Sequence, residues 1–271
     1  MKTMINLCLC ATFLVGIASC TNIEPSVLNF NETLASGLES QGVYTVTISL
    51  DKSVSADVDL SYTLSGTAEQ YVDYDLPSSI RIPAGSTSTS FDLTLYDNYV
   101  YSAEDKTVII DVNGLTGSDN VNFGSTKFTF TIMENDVEIA LGWTVNGGNA
   151  ADYDLDLYVY RSDDLSSFYK SSSSFTDNPE VIVLGQDEIN ETYYAVAKFY
   201  SGDVTSATVN YTMTIKYPDG TTSSNADVYN ANKTSPRSLF EVVKSGDGDF
   251  TATADPFGPD GIQIGEPVAA K

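Results

Sequence analysis

The amino-acid sequence predicts an all-β fold made of two tandem antiparallel β-sandwiches. Short segments along the chain alternate apolar and polar residues, which is the period of a strand with one buried face. Clusters of Gly, Ser, Asn and Asp separate these segments at the spacing typical of sandwiches. No segment shows a sustained helical period. A length of 271 residues, at about 150 residues per domain, indicates two domains.

The first sandwich is predicted over residues 27–137. Each of its strands is recognised by apolar residues at every second position, flanked by Thr, Ser or Asp. These strands are Val27 to Phe30, Tyr44/Val46/Ile48/Leu50, Val58/Leu60/Tyr62/Leu64, Phe91/Leu93/Leu95, Val108/Ile110/Val112 and Phe128/Phe130/Ile132.

The second sandwich is predicted over residues 138–255, with almost no linker before it. Trp143, the only tryptophan, lies in its first strand and is expected to anchor the core. The strands are Ile139/Leu141/Trp143/Val145, Leu155/Leu157/Val159, Val181/Val183, Tyr193 to Phe199, Val209/Tyr211/Met213/Ile215, Ser238 to Val243 and Phe250 to Ala254. Residues 256–271 are rich in Gly, Pro and small side chains, which predicts a flexible tail.

The N-terminus has the pattern of a bacterial lipoprotein signal. A basic residue and a short apolar run lead to Ile17-Ala18-Ser19-Cys20, which matches a lipobox. We therefore expect residues 1–19 to be removed, Cys20 to carry the lipid, and residues 20–26 to form a tether. Thr21 does not resemble an inner-membrane retention signal, so the predicted location is the outer membrane of a Gram-negative bacterium. The alternative is an ordinary signal peptide with an incidental cysteine.

Composition excludes several chemistries. The chain contains no histidine, and its three cysteines are Cys8, Cys10 and Cys20, which the predicted processing removes or acylates. Catalysis by Ser-His-Asp or Cys-His groups and zinc binding through His are therefore excluded. The formal net charge of −24 disfavours nucleic acid as a partner, whereas hard divalent cations remain compatible.

Four phrases of the first half resemble the Calx-beta family: Gly66-Thr67-Ala68, Asp73-Tyr74, Ile82-Pro83-Ala84-Gly85 and Ile132-Met133-Glu134-Asn135-Asp136. The resemblance implies an immunoglobulin-like sandwich that binds calcium through carboxylates at one end. The matching ligand positions are Glu39, Asp73, Asp97 and Asp136, with Glu104 and Glu134 as further candidates. The chain departs from the family pattern at Asn98, which replaces an acid, and at Lys106, which falls near a ligand position. The alternative is a sandwich whose acidic loops are solvated and bind no metal.

The second half resembles the bacterial pre-peptidase C-terminal domain, which implies a jelly-roll-like sandwich. The resemblance rests on the segment 154–160, on Glu191-Thr192-Tyr193-Tyr194 and on Tyr200-Ser201-Gly202. At strand spacing, Asp152, Asp154 and Asp156 would share one face. A calcium ion, with help from Asp177 or Glu180, would relieve their repulsion. The alternative is a solvated acidic outer face.

Three functional classes remain open from the sequence. The first is a non-enzymatic, membrane-anchored binding or adhesion protein, and its protein or glycan ligand is not identified by the residues. The second is a glycan-capture lipoprotein of an outer-membrane uptake system, which the loop tyrosines would serve; these are Tyr71, Tyr74, Tyr96, Tyr99 and Tyr101. The third is a glycosidase with paired carboxylates, although no pair of acids forms a recognisable catalytic motif.

Overall fold

The computed structural model describes residues 24–117 and 120–257. Within these residues strands dominate and no α-helix occurs, which confirms the all-β prediction. The predicted signal peptide, Cys20 and residues 258–271 lie outside the described residues. Within the described ranges, no helix is long and apolar enough to cross a lipid bilayer.

Over its described residues, the first sandwich contains ten strands and one short 3₁₀ turn. They are β1 Ser26–Phe30, β2 Leu34–Leu38, the 3₁₀ turn Glu39–Gln41, β3 Val43–Leu50, β4 Val58–Gly66, β5 Tyr74–Asp75, β6 Ile80–Ile82, β7 Ser88–Leu95, β8 Lys106–Thr116, β9 Val121–Phe123 and β10 Lys127–Met133. One sheet has the order β5-β7-β3-β1-β9 and the other β2-β10-β8-β4-β6.

The core of the first sandwich lies between these two sheets. The alternating apolar residues of the predicted strands point inward, as Leu28, Ile48, Ile110 and Phe128 illustrate with no exposed surface. The ring of Phe128 stacks on Phe30 with centroids 5.7 Å apart. Burial of these side chains supplies the main driving force for the fold, at roughly 25 cal/mol per Å² of apolar surface.

The second sandwich contains nine strands and one 3₁₀ turn. They are β11 Val137–Asn146, the 3₁₀ turn Ala150–Asp152, β12 Asp154–Arg161, β13 Lys170–Ser172, β14 Glu180–Leu184, β15 Thr192–Ser201, β16 Thr208–Lys216, β17 Thr222–Tyr229, β18 Arg237–Gly246 and β19 Asp249–Ala254. Its sheets have the orders β14-β11-β16-β17 and β13-β12-β15-β18-β19. A separate hydrophobic cluster lies between them and includes Trp143, which is buried.

Several strands have no clear signal in the sequence. β2, β5, β6, β9 and β13 are two to five residues long, and β17 is mostly polar. Segments this short or this polar carry little alternation, so their strand state depends on pairing with longer neighbours.

The alternating pattern of the sequence also does not predict the two parallel strand pairs described in the first sandwich. β9 pairs with β1 in parallel, and β2 pairs with β10 in parallel. The β2–β10 pair matters for function because parallel strands end at the same edge of a sheet. Leu38 is the partner of Met133, so the residues that follow, Glu39 and Glu134, leave the sheet side by side.

The start of the second sandwich corrects the prediction for Asp152. The sequence placed Asp152 on the strand with Asp154 and Asp156, but Asp152 is an exposed residue of the 3₁₀ turn and β12 begins at Asp154. A register shift also separates Asp154 from Leu155. The turn therefore removes Asp152 from the face that the two other carboxylates occupy.

Candidate metal centre

Three carboxylates meet at one end of the first sandwich, where it joins the second. One oxygen each from Glu39, Asp97 and Asp136 lies within 4.8 Å of the others. Glu39 begins the 3₁₀ turn after β2, Asp97 follows β7, and Asp136 lies between β10 and β11. Among the residues that the structure describes, this is the one group of three acidic side chains with metal-binding spacing.

Strand pairing explains why these distant residues meet. The parallel β2–β10 pair brings Glu39 to the exit of β10, two residues before Asp136. The backbone N–H of Leu95 donates to the carbonyl of Gly42 at 2.8 Å, which holds the end of β7 against the turn after Glu39. Asp97 is two residues further along. Backbone hydrogen bonds therefore position all three carboxylates.

Four oxygens of this group lack hydrogen-bond donors. Glu39 Oε1, Asp97 Oδ2 and both carboxylate oxygens of Asp136 are buried without a partner, and Asp136 has no exposed surface. Buried polar atoms are normally satisfied, because an unpaired one costs roughly 1–3 kcal/mol. The pattern fits a cation that accepts oxygen ligands.

The electrostatics of the cluster also indicate that its carboxylates need a compensating positive charge. Burial, the adjacent Glu134 and the charges of Asp136 and Asp97 raise the pKa of Glu39 to about 9. Burial and the charges of Asp97 and Glu134 raise the pKa of Asp136 to about 7. Burial also raises the pKa of Asp97, although the N–H of Tyr99 donates to it. Two carboxylates at this spacing repel by roughly 3 kcal/mol at an effective dielectric of 20, so the cluster needs either protons or a cation.

Glu134 supports the cluster through backbone contacts. Its Oε1 accepts hydrogen bonds from the N–H groups of Asn135 at 3.0 Å and Asp136 at 2.8 Å, and its Oε2 accepts from the N–H of Ser102. The side chain is buried. These contacts hold the 134–136 segment in place, so Glu134 orients Asp136 and faces Glu39.

Asp73 lies at the same end of the sandwich but has a cation of its own. Its Oδ1 is 2.7 Å from Lys106 Nζ and accepts from Asn98 Nδ2 at 2.9 Å. Its Oδ2 accepts from the N–H of Glu69 at 2.7 Å. Glu104 is exposed and lines the crevice beside this pair. The structure therefore separates Asp73 and Glu104 from the three unpaired carboxylates.

Sequence reasoning missed the contribution of the second sandwich. Asp247 accepts hydrogen bonds from Asn135 Nδ2 at 2.8 Å and from Ser40 Oγ. Asp187 and Asp247 act on Asp97, and Glu188 acts on Asp136, in each case raising the pKa of the carboxyl. Asp247 belongs to a Gly-Asp repeat without the spacing of a calcium loop, so no local signal could have placed it here.

Asn135 offers a neutral oxygen that the sequence prediction also omitted. Its Oδ1 is buried without a donor, while its Nδ2 binds Asp247. Calcium accepts amide oxygens as well as carboxylates. Asn135, which precedes Asp136 in the chain, is therefore a further candidate ligand beside Glu39, Asp97 and Asp136.

The acidic residues of the second sandwich form a different arrangement. Asp154 and Asp156 are buried rather than solvated, and Glu180 is fully buried. Tyr158 donates its hydroxyl to Asp156 at 2.8 Å, and Glu180 accepts from the N–H of Ser174 at 2.8 Å. Asp154 Oδ1 has no partner, and burial with the charges of Asp156 and Glu180 raises the pKa of Asp154.

No protein-family model and no curated protein matches this chain. Among solved structures, the apo form of the Calx CBD1 domain is similar with a TM-score of 0.36 and 20% identity, over 41% of this chain and 98% of that chain. The calcium binding domain CBD12 of CALX1.1 has a TM-score of 0.35 and 14% identity, over 69% of this chain and 79% of that chain. A candidate carbohydrate-binding protein from Bacteroides ovatus has a TM-score of 0.31 and 10% identity, over 83% of this chain and 78% of that chain. These likenesses assign no family, ligand or activity to this chain.

Proposed function

We propose that this protein is a non-enzymatic binding lipoprotein whose first sandwich holds a calcium ion. The proposal rests on one observation: the carboxylates of Glu39, Asp97 and Asp136 converge while their inner oxygens are buried without donors. Calcium coordinates six to eight oxygens at about 2.3–2.6 Å. The three carboxylates, Asn135 Oδ1 and water molecules would supply these oxygens after a small movement of the side chains.

The same geometry favours ion binding over glycoside hydrolysis. The two carboxyl groups of a glycosidase are about 5–5.5 Å apart in retaining enzymes and further apart in inverting ones, with the sugar between them. The oxygens here, within 4.8 Å of one another, are close to the retaining separation, but Glu39 and Asp136 are buried. A sugar has no access to the space between them.

Isothermal titration calorimetry with calcium chloride tests the proposal directly. We expect the purified protein to bind calcium, and Asp136→Asn to lose most of that affinity. Asp111→Asn is the matched control, because Asp111 forms an exposed ion pair with Lys127 at 3.7 Å, far along the sheet from the cluster. Absence of calcium binding by the wild-type protein would refute the proposal.

The proposed location is the outer membrane, with lipid on Cys20 as the anchor. The tether is short, because β1 begins at Ser26, and six extended residues span only about 20 Å. The first sandwich would therefore lie close to the membrane surface. Nucleic acid is not proposed as a partner, given the acidic chain.

A second candidate function is glycan binding by tyrosines in two loops beside the metal centre. Tyr71 is 74% exposed, and Tyr96 and Tyr99 are also exposed. The N–H of Tyr96 donates to the carbonyl of Asp73 at 2.9 Å, so the two loops are neighbours. Exposed tyrosine rings can stack on sugars. A glycan array should then show binding by the wild-type protein, and Tyr71→Ala should abolish it. Tyr200 is an exposed tyrosine of the second sandwich, so Tyr200→Ala is the control and should still bind. An array without signal would exclude this candidate.

A further inference from the structure

The acidic end of the first sandwich has two compartments that share Glu39. In one, Glu39 faces Asp97 and Asp136, and four of their oxygens have no donors. In the other, Glu39 lines a crevice with Asp73 and Lys106. Both compartments are rich in carboxylates, and in the second Asp73 is paired directly with the ammonium of Lys106.

Lys106 and its neighbours satisfy Asp73 completely. The ammonium and the amide of Asn98 bind Oδ1, and the N–H of Glu69 binds Oδ2. The carboxylate of Asp73 is buried, with its side chain 5% exposed, whereas the side chain of Lys106 is 29% exposed. Removing the ammonium would leave a buried carboxylate without its cation, which is unfavourable.

The space beside Lys106 is also too small for a hydrated ion. The crevice lined by Glu39, Asp73, Lys106 and Glu134 has a volume of about 10 Å³. This is close to the space that one water molecule needs, whereas calcium requires six or more oxygens around it. Lys106 starts β8 opposite Ile132, so strand pairing keeps its side chain at this position.

We propose that the Lys106 ammonium takes the place of a metal ion and limits this end of the sandwich to a single exchangeable calcium ion. The inference rests on the proposed calcium site and concerns its capacity. The ammonium neutralises Asp73 permanently, and its charge disfavours a second divalent ion nearby. Asp73 is then a structural partner of Lys106 rather than a ligand of the exchangeable ion.

Calcium stoichiometry measured by calorimetry tests this inference. The wild-type protein should bind a single ion. Lys106→Ala leaves the buried Asp73 carboxylate without its cation, so the metal-free melting temperature of the variant should fall. The variant should bind a second calcium ion, and that ion should restore the melting temperature. Lys127→Ala, which removes an exposed lysine from an ion pair at 3.7 Å, should behave as wild type.

The outcomes separate the two proposals. No calcium binding by the wild-type protein would refute the calcium site itself. Two ions in the wild type, or a single ion in a folded Lys106→Ala protein, would refute the role of Lys106 while leaving the site intact.

A double variant covers the case in which Lys106→Ala does not fold. Asp73→Asn with Lys106→Gln replaces the ion pair by neutral amides of similar size, so a hydrogen bond between them can remain. The double variant should still bind a single calcium ion, with a dissociation constant within about threefold of the wild-type value. A threefold change is smaller than the tenfold change that corresponds to about 1.4 kcal/mol of binding free energy. A loss of about a hundredfold would make Asp73 a ligand and overturn the inference.

Discussion

The carboxylate of Asp136 lies directly over Gly185, in the space that a side chain at position 185 would occupy. A Cβ on Gly185 would be 2.1 Å from Asp136 Oδ1. The contact follows from register, because Val137 of β11 pairs with Leu184 of β14, which places the preceding and following residues side by side. The second sandwich therefore shapes one wall of the carboxylate cluster.

Gly185→Ala should disturb this centre. The added methyl group would displace the Asp136 carboxylate, and overpacking of this kind costs about 1–3 kcal/mol. We expect a lower free energy of unfolding in urea and at least a tenfold weaker affinity for calcium. Gly142→Ala is the control, because its Cβ would meet its nearest neighbour at 3.7 Å. Equal affinities for the two variants would contradict the contact.

Calcium should stabilise the folded protein. Binding adds RT ln(1 + [L]/Kd), or about 2.7 kcal/mol at a hundredfold excess over Kd. For a protein of this size that corresponds to a gain of roughly 5–10 °C in melting temperature, measured by differential scanning calorimetry. Asp136→Asn should lose this gain while its metal-free melt stays equal or rises, because one repelling charge is removed. A wild-type melting temperature that does not change in millimolar calcium would contradict the prediction.

Without calcium, stability should fall as pH rises from 5 to 9. Glu39 and Asp136 have pKa values of about 9 and 7 in the folded protein, above the ordinary 4.5 and 3.8. The folded state therefore holds protons that the unfolded chain releases, and this stabilisation is lost as pH rises through 7 and then 9. Urea unfolding at several pH values with a chelator measures the effect.

Glu39→Gln and saturating calcium are the two controls for this pH dependence. Saturating calcium should flatten the profile, because the ion replaces the protons. Glu39→Gln should remove the part of the fall that belongs to Glu39, because the amide does not titrate, while the part that belongs to Asp136 remains. A rise in metal-free stability over the same range would show that the cluster is not protonated in the folded state.

Cys20→Ala should release the protein from membranes. The predicted lipobox would place the lipid on this residue, and several acyl chains anchor a protein firmly because each buried methylene contributes about 0.8 kcal/mol. Fractionation of cells expressing each form measures the effect, with Cys10→Ala as a control inside the predicted signal peptide. Uncleaved Cys20→Ala protein that remains in the membrane would indicate a different anchor.

Local pattern was sufficient to predict the class of the fold. The alternation in segments such as Tyr44 to Leu50 and Phe128 to Ile132 is a property of neighbouring residues, and it predicts a strand wherever one face must be buried. The sequence likewise indicated that Lys106 falls near a ligand position of the pattern that the first half resembles. The pairing itself at 2.7 Å comes from the structure.

Tertiary structure decided which carboxylates meet. Glu39 joins Asp136 because short β2 pairs in parallel with β10, and β2 carries almost no alternation of its own. Asp152 leaves the predicted acidic face because the chain makes a 3₁₀ turn before β12. Side-chain period is local and can be read from sequence, whereas the convergence of buried oxygens depends on pairing between distant strands and on contacts between the two sandwiches.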